Sequence, residues 1–236
     1  MTPRQKWLAL LHGVPCPGPV CDYWATPEVT RRLLAELHCP DEKALWIKLG
    51  VDKCIFLAPR HPRAREDTWH IPSLFSVWGV PTRKVPYLDG LGSYEEAVDP
   101  PLARAASVRD IETYPWPEPS EWDASELRGQ CVQWTGYPIV GASYEPLYPC
   151  CRLRGMDRRQ LAAEFGHRVI FHGAVDNQIT LPFGTPEDVK REVRENRAIF
   201  SRGRGYIVAP CHNLQANTPT ENILALYEAV AELRPQ

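Results

Sequence analysis

Two short polar segments hold the side chains best suited to chemistry. His172 is followed closely by Asp176, Asn177 and Gln178, and Cys211, His212 and Asn213 stand side by side further on. An imidazole can take or give a proton near neutral pH, bind a metal ion or orient a substrate oxygen. A carboxylate beside it, such as Asp176, would tune its basicity. This makes His212, His172 and Asp176 the catalytic candidates. Asn177, Gln178 and Asn213 could hold a substrate by hydrogen bonds, and the Cys211 thiolate could ligate a metal. Earlier in the chain, Asp22 and Trp24 could face a ligand, with the indole stacking on a flat ring, and Arg60 with His61 could bind a carboxylate. Each has a plainer reading: Asp176 and Asn177 turn the chain, Trp24 packs in the core, and Cys211 is a buried inert thiol.

Other chemistries are poorly served. The chain has no glycine-rich phosphate loop, nucleophile elbow or Ser-His-Asp order, and Gly203-Arg204-Gly205 reads as a turn before a strand. A net charge of -2 gives no basic surface for nucleic acid. No run of 18 apolar residues would span a membrane. The apolar run Trp7-Leu8-Ala9-Leu10-Leu11 is too short for a secretory leader, so a cytoplasmic protein is expected. Eight cysteines without a C-x-x-C pair suit reduced thiols in that compartment. Adjacent Cys150 and Cys151 point apart in an extended chain and make a weak metal signal.

The polar segments need elements to position them. Residues 168–172 and 205–209 read as strands that deliver His172 and Pro210-Cys211-His212 to their ends. Thr185-Pro186-Glu187-Asp188 and Thr218-Pro219-Thr220-Glu221 read as helix starts, with a threonine cap, proline in the first turn and acids beside it. The same signature at Thr26-Pro27-Glu28 opens a helix after a first strand at 19–24. Asp41 caps a second helix, with Gly50 as its stop, and 51–58 is a second strand. Residues 69–72 and 76–80 could form a hairpin. Residues 114–119 are too proline-rich for helix or central strand. A helix at 126–134, a strand at 137–142 and a helix at 157–165 follow. Alternation of strand and helix predicts a parallel sheet with its ligand site at the carboxyl ends of the strands.

Several stretches resemble the uroporphyrinogen decarboxylase superfamily. They are residues 20–29, residues 110–119 around Tyr-Pro-Trp-Pro, residues 155–178, the run Leu181-Pro182-Phe183-Gly184-Thr185-Pro186-Glu187-Asp188-Val189, and residues 209–228. The likeness is strongest to the methyltransferase-like members. It implies an α/β fold of TIM (β/α)8-barrel type, over a single domain 1–236 with residues 63–119 as an insert covering one end. Family members are longer. The shortfall falls near Arg154-Gly155-Met156, so the barrel is expected to be shortened and incomplete, with edges exposed at 137–142 and 168–172 unless they pair directly or another chain covers them. By the resemblance, His212 matches a pocket histidine of the decarboxylases, a position held by a zinc-binding cysteine in the methyltransferases. The latter also supply a His-x-Cys pair, which this chain lacks, so a zinc ligand set is incomplete. The arginines that follow the first strand in true decarboxylases are absent too; the first arginine there is Arg31.

The function expected from this resemblance is methyl transfer from a small methylated substrate, with a corrinoid protein as partner. The alternatives are decarboxylation of a tetrapyrrole carboxylate and a non-catalytic shortened paralogue. A small-molecule substrate and a homo-oligomer are expected, with neither nucleic acid nor membrane as partner.

Overall fold

The computed structural model describes residues 1–64, 74–141 and 157–234. The chain divides into two compact units: Met1–Ile55, Trp134–Val140 and Tyr144–Gln236 form the first, and Phe56–Gln133 with Gly141–Ser143 the second. Among the described residues no helix is long and apolar enough to cross a membrane. The expectations attached to Cys150, Cys151, Arg154, Gly155 and Met156 lie outside the described residues, as do those for 69–72.

The first unit opens with helix α1 (Pro3–His12), strand β1 (Val20–Cys21) and helices α2 (Pro27–Glu36) and α3 (Glu42–Leu49). Caps explain these boundaries. Asp41 accepts the Ala44 amide at 2.7 Å to start α3, and Gly50, at φ 65°, ends it in the left-handed conformation that glycine adopts without strain. Thr26 precedes α2 as expected, but its hydroxyl makes no capping bond. Strand β2 (Ile55–Leu57) leaves the unit, and β5 (Ile139–Gly141) marks the chain's passage back; the Ile55 amide donates to the Pro138 carbonyl at 2.9 Å.

The later part carries α7 (Arg158–Phe165), β6 (Phe171–Val175), the short α8 (Thr180–Phe183), α9 (Pro186–Phe200), β7 (Tyr206–Pro210) and α10 (Thr220–Glu232). Thr185 and Asp188 form the reciprocal capping box that the sequence announces. At α10 the cap is Pro219 rather than Thr218, whose hydroxyl is buried without a partner. Strands β1, β7 and β6 form one parallel sheet with β7 in the middle. The first strand thus lies against the last, as at the seam of a closed barrel. The described strands nevertheless form this three-stranded sheet and two separate two-stranded ones, one of them β2 with β5, and not a closed barrel.

Strand β6 starts three residues later than the expected 168–172. Its pairing runs from Phe171↔Tyr206 to Val175↔Pro210, so His172 sits inside the strand and the loop begins at Asp176. Gly173 (φ 101°) and Ala174 (φ 74°) depart from extended backbone within it. Both carbonyls are nonetheless bound, Gly173 by the Tyr206 hydroxyl at 2.5 Å and Ala174 by Asn196 Nδ2 at 2.9 Å. The edge expected to stand open is therefore paired with β7 on one side, and on α9 Asn196 covers a carbonyl that would otherwise be exposed to pairing.

Helix α9 buries Val189, Val193, Asn196, Ile199 and Phe200, and α10 buries Ile223, Leu226, Tyr227 and Val230. Each such apolar side chain contributes about 1.5–3 kcal/mol. Phe200 meets Phe171 and Tyr206 with ring centroids 4.5 and 5.2 Å apart, while Tyr23 meets Tyr227 at 6.2 Å. Side chains alternate across a strand. With Phe171 and Tyr23 turned to the helices, His172, Asp22 and Trp24 emerge together on the opposite face, called the inner face below.

The second unit contains the short helix α4 (Leu74–Val77), the antiparallel pair β3 (Thr82–Tyr87) and β4 (Gly92–Ala97), α5 (Val108–Glu112) and α6 (Leu127–Gln133). The hairpin expected over 69–80 is thus misplaced: 74–77 is helical and the hairpin is 82–97. Its turn holds Asp89 (φ 53°) and Gly90 (φ 88°), a pair suited to hairpin turns. Trp78, Tyr114 and Trp116 stack edge to face beside it. Arg63, Gly79, Thr82 and Glu95 line a cavity of about 410 Å³ in this unit.

Candidate functional site

The inner face of the first unit is organised by Asp22, whose side chain is almost completely buried. Its Oδ1 accepts the backbone amides of Tyr23 (2.8 Å) and Cys54 (3.3 Å). Its Oδ2 accepts the Trp24 indole N–H at 2.6 Å and faces His172 Nε2 at 3.3 Å. Lys53 Nζ stands 3.7 Å from Oδ1, donates to the Tyr23 carbonyl at 2.9 Å and lies 5.3 Å over the Trp24 ring. Burial on its own would raise the pKa of this carboxyl. Lys53 and the hydrogen bonds from His172 and Trp24 outweigh it and hold the group at about 2.

Asp22 is therefore an anion near neutral pH, and an anionic carboxylate only accepts. His172 Nε2 must then carry the hydrogen that faces it. In the neutral ring this leaves Nδ1 as the basic nitrogen, the one able to take a proton or return it. The ring is held between Trp24, edge-on at 5.9 Å, and Trp7 of α1 at 6.3 Å, and its side chain remains 29% exposed. With its acceptor positions filled, Asp22 orients the histidine and leaves proton transfer to it.

A second buried carboxylate, Asp52, has a structural task. It accepts from Lys6 Nζ (2.7 Å), Arg234 (3.0 Å) and the Cys21 amide (3.2 Å), which ties α1, β1 and the residues after α10 together.

The loops after β6 and β7 meet at the carboxyl end of the sheet. Asn177 donates from Nδ2 to the Asn213 carbonyl (3.0 Å), and its Oδ1 accepts the His212 amide (3.0 Å) and the Cys211 thiol (3.5 Å). This joins Asn177 with Cys211, His212 and Asn213. His172 is not among them. It pairs with Ile207, on the order of 13 Å along the strand from Cys211. Asp176 is not its partner either: Asp176 Oδ1 accepts the Gln178 amide at 2.7 Å, the plain turn-forming role, and Gln178 is exposed. The carboxylate beside His172 is Asp22, brought from the other end of the chain. Burial pushes the acid of Glu192 up; it accepts the Asp176 amide at 3.3 Å and lies 3.7 Å from Arg158.

Arg60 and His61 belong to the second unit. Arg60 pairs with Glu126 at 2.9 Å, so the carboxylate it binds is the protein's own. His61 is buried against Trp122, with Nε2 3.4 Å from Glu121 and Nδ1 accepting the Arg63 amide. Lys53 and Trp7, by contrast, escaped the sequence reading. The charged pair Asp52-Lys53 at the head of the mostly apolar run 51–58 was the available signal for the first.

Zinc does not fit the residues described. Among them no three His, Cys, Asp or Glu side chains gather to hold a metal ion. Burial raises the pKa of the Cys211 thiol, which favours the protonated form, and the thiol donates to Asn177.

Comparison with known proteins bears on the second half of this arrangement. Residues 153–233 match the uroporphyrinogen decarboxylase (URO-D) family model. A uroporphyrinogen decarboxylase from Psychromonas ingrahamii (strain DSM 17664 / CCUG 51855 / 37) is 31% identical over 78 residues, which cover 33% of this chain and 22% of that protein. The matched part of the chain thus spans about a fifth of the curated relative's length. Over this stretch the chain is similar to the uroporphyrinogen decarboxylase family. The matched region holds His172, Asn177, Cys211, His212 and Asn213; Asp22, Trp24 and Lys53 lie before it.

Proposed function

We propose that the inner face is a proton-transfer site of the uroporphyrinogen decarboxylase class, acting on a carboxylated substrate of tetrapyrrole type. The observation that carries this reading is the Asp22–His172 pair, a buried anion holding an imidazole that stays partly open to solvent. In decarboxylation the C–CO2 bond breaks, its electron pair remains on the carbon, and CO2 leaves. The carbon then takes a proton. Protonated His172, with Nε2–H held by Asp22, gives up the proton on Nδ1, and solvent restores it. Trp24 and Trp7 flank the ring and offer apolar walls for a flat substrate.

Methyl transfer with a corrinoid partner gains no support from the described residues, since the thiolate and imidazole set it calls for is not assembled among them. The test is turnover of uroporphyrinogen by the purified chain and by His172→Gln. A loss of about 100-fold or more is expected for the variant, the usual worth of a general acid. Turnover by His172→Gln equal to the original would overturn the proposal. So would a folded original chain that binds the substrate without converting it, the behaviour of a non-catalytic paralogue.

A further inference from the structure

We propose that Asn177 is a positioning residue, which extends the pairing of β6 and β7 past the strand ends with its side chain and so sets His212 and Asn213 at the mouth of the site. The last backbone rung between these strands is the Cys211 amide donating to the Val175 carbonyl at 2.8 Å. Beyond it the chains turn away. There the carboxamide of Asn177 takes the place of a peptide group, accepting the His212 amide with Oδ1 and donating Nδ2–H to the Asn213 carbonyl, both at 3.0 Å. Only a side chain with a donor and an acceptor on one carbon can serve both partners, and glutamine would carry its amide one methylene too far. The role assigned to Asn177 rests on reading the mouth as part of the site.

The geometry distinguishes two substitutions. Asn177→Ala removes both bonds. Asn177→Asp keeps the shape and the acceptor but loses the donor, and it sets an anion against the Asn213 carbonyl. Hydrogen–deuterium exchange of the full chain, resolved at single amides, reads the first bond; the ratio of kcat to KM effects reads the site. In the original chain the His212 amide is expected to exchange slowly. In Asn177→Ala its exchange rises by about tenfold or more, the measure of one lost hydrogen bond. In Asn177→Asp it stays protected, while substrate KM rises in both variants with kcat less affected.

A side chain that merely filled space would leave Asp indistinguishable from Asn, and that result overturns the proposal. Fast exchange of the His212 amide in the original chain overturns it too, and this measurement needs no variant to fold. The exchange pattern is independent of turnover. If it holds while His172→Gln remains active, the latch stands and the acid–base reading falls.

Discussion

Replacing Asp22 by asparagine tests the inner face where its energetics are most exposed. Asparagine keeps the shape but removes the charge opposite Lys53 and turns its NH2 toward donors now satisfied, Trp24 Nε1 and His172 Nε2 in one orientation, the Tyr23 and Cys54 amides in the other. In the folded chain the carboxyl is held from an ordinary 3.8 down to about 2. At 1.36 kcal/mol per unit this is about 2 kcal/mol of stabilisation of the charged form. A stranded buried donor adds about 1 kcal/mol or more, so Asp22→Asn should cost about 3 kcal/mol at pH 7. Because the folded value is depressed, that charge-linked stability is fully present above pH 3.8. It fades as pH falls through about 2, where the original carboxyl is half protonated. The gap between the two proteins should therefore shrink from about 3 to about 2 kcal/mol near pH 2.5. Urea unfolding followed by circular dichroism at pH 7, 4 and 2.5 measures it. A gap that is absent at pH 7, or the same at all three, would refute the reasoning.

Ala174 holds φ 74° in a strand, a conformation that costs an L-residue about 1–2 kcal/mol. Ala174→Gly should raise the urea midpoint by an amount equivalent to about 1 kcal/mol, and a lowered midpoint would show that the methyl group's packing outweighs the strain. Asp52→Ala should destabilise by about 3 kcal/mol or more, because Lys6 and Arg234 lose their shared anion in a buried setting; thermal unfolding checks it, and a change below about 1 kcal/mol would contradict it.

Much of the helical frame was legible because caps are local. Asp41 and Gly50 bound α3, and Thr185 with Asp188 opens α9, each through contacts within a few residues. The register of β6 was hidden because Gly173 reads as a loop residue. It remains in a strand because Tyr206 and Asn196, distant in sequence, bind the carbonyls there. The hairpin at 82–97 was missed despite Asp89-Gly90, since Pro86 weakened the strand signal that precedes it. The site was half legible. Neighbours within one loop, such as Cys211, His212 and Asn213, could be grouped by eye. The partner of His172 could not: Asp22 lies 150 residues away and reaches it only because β1 closes against β7.

The orientation of His172 is the point on which the account turns. Long-range 15N–1H NMR correlations of the imidazole, recorded with the ring neutral, report which nitrogen holds the hydrogen. A hydrogen on Nε2 and a bare Nδ1 are expected, with Asp22→Asn redistributing the hydrogen between them. A neutral ring carrying its hydrogen on Nδ1 in the original chain would contradict this.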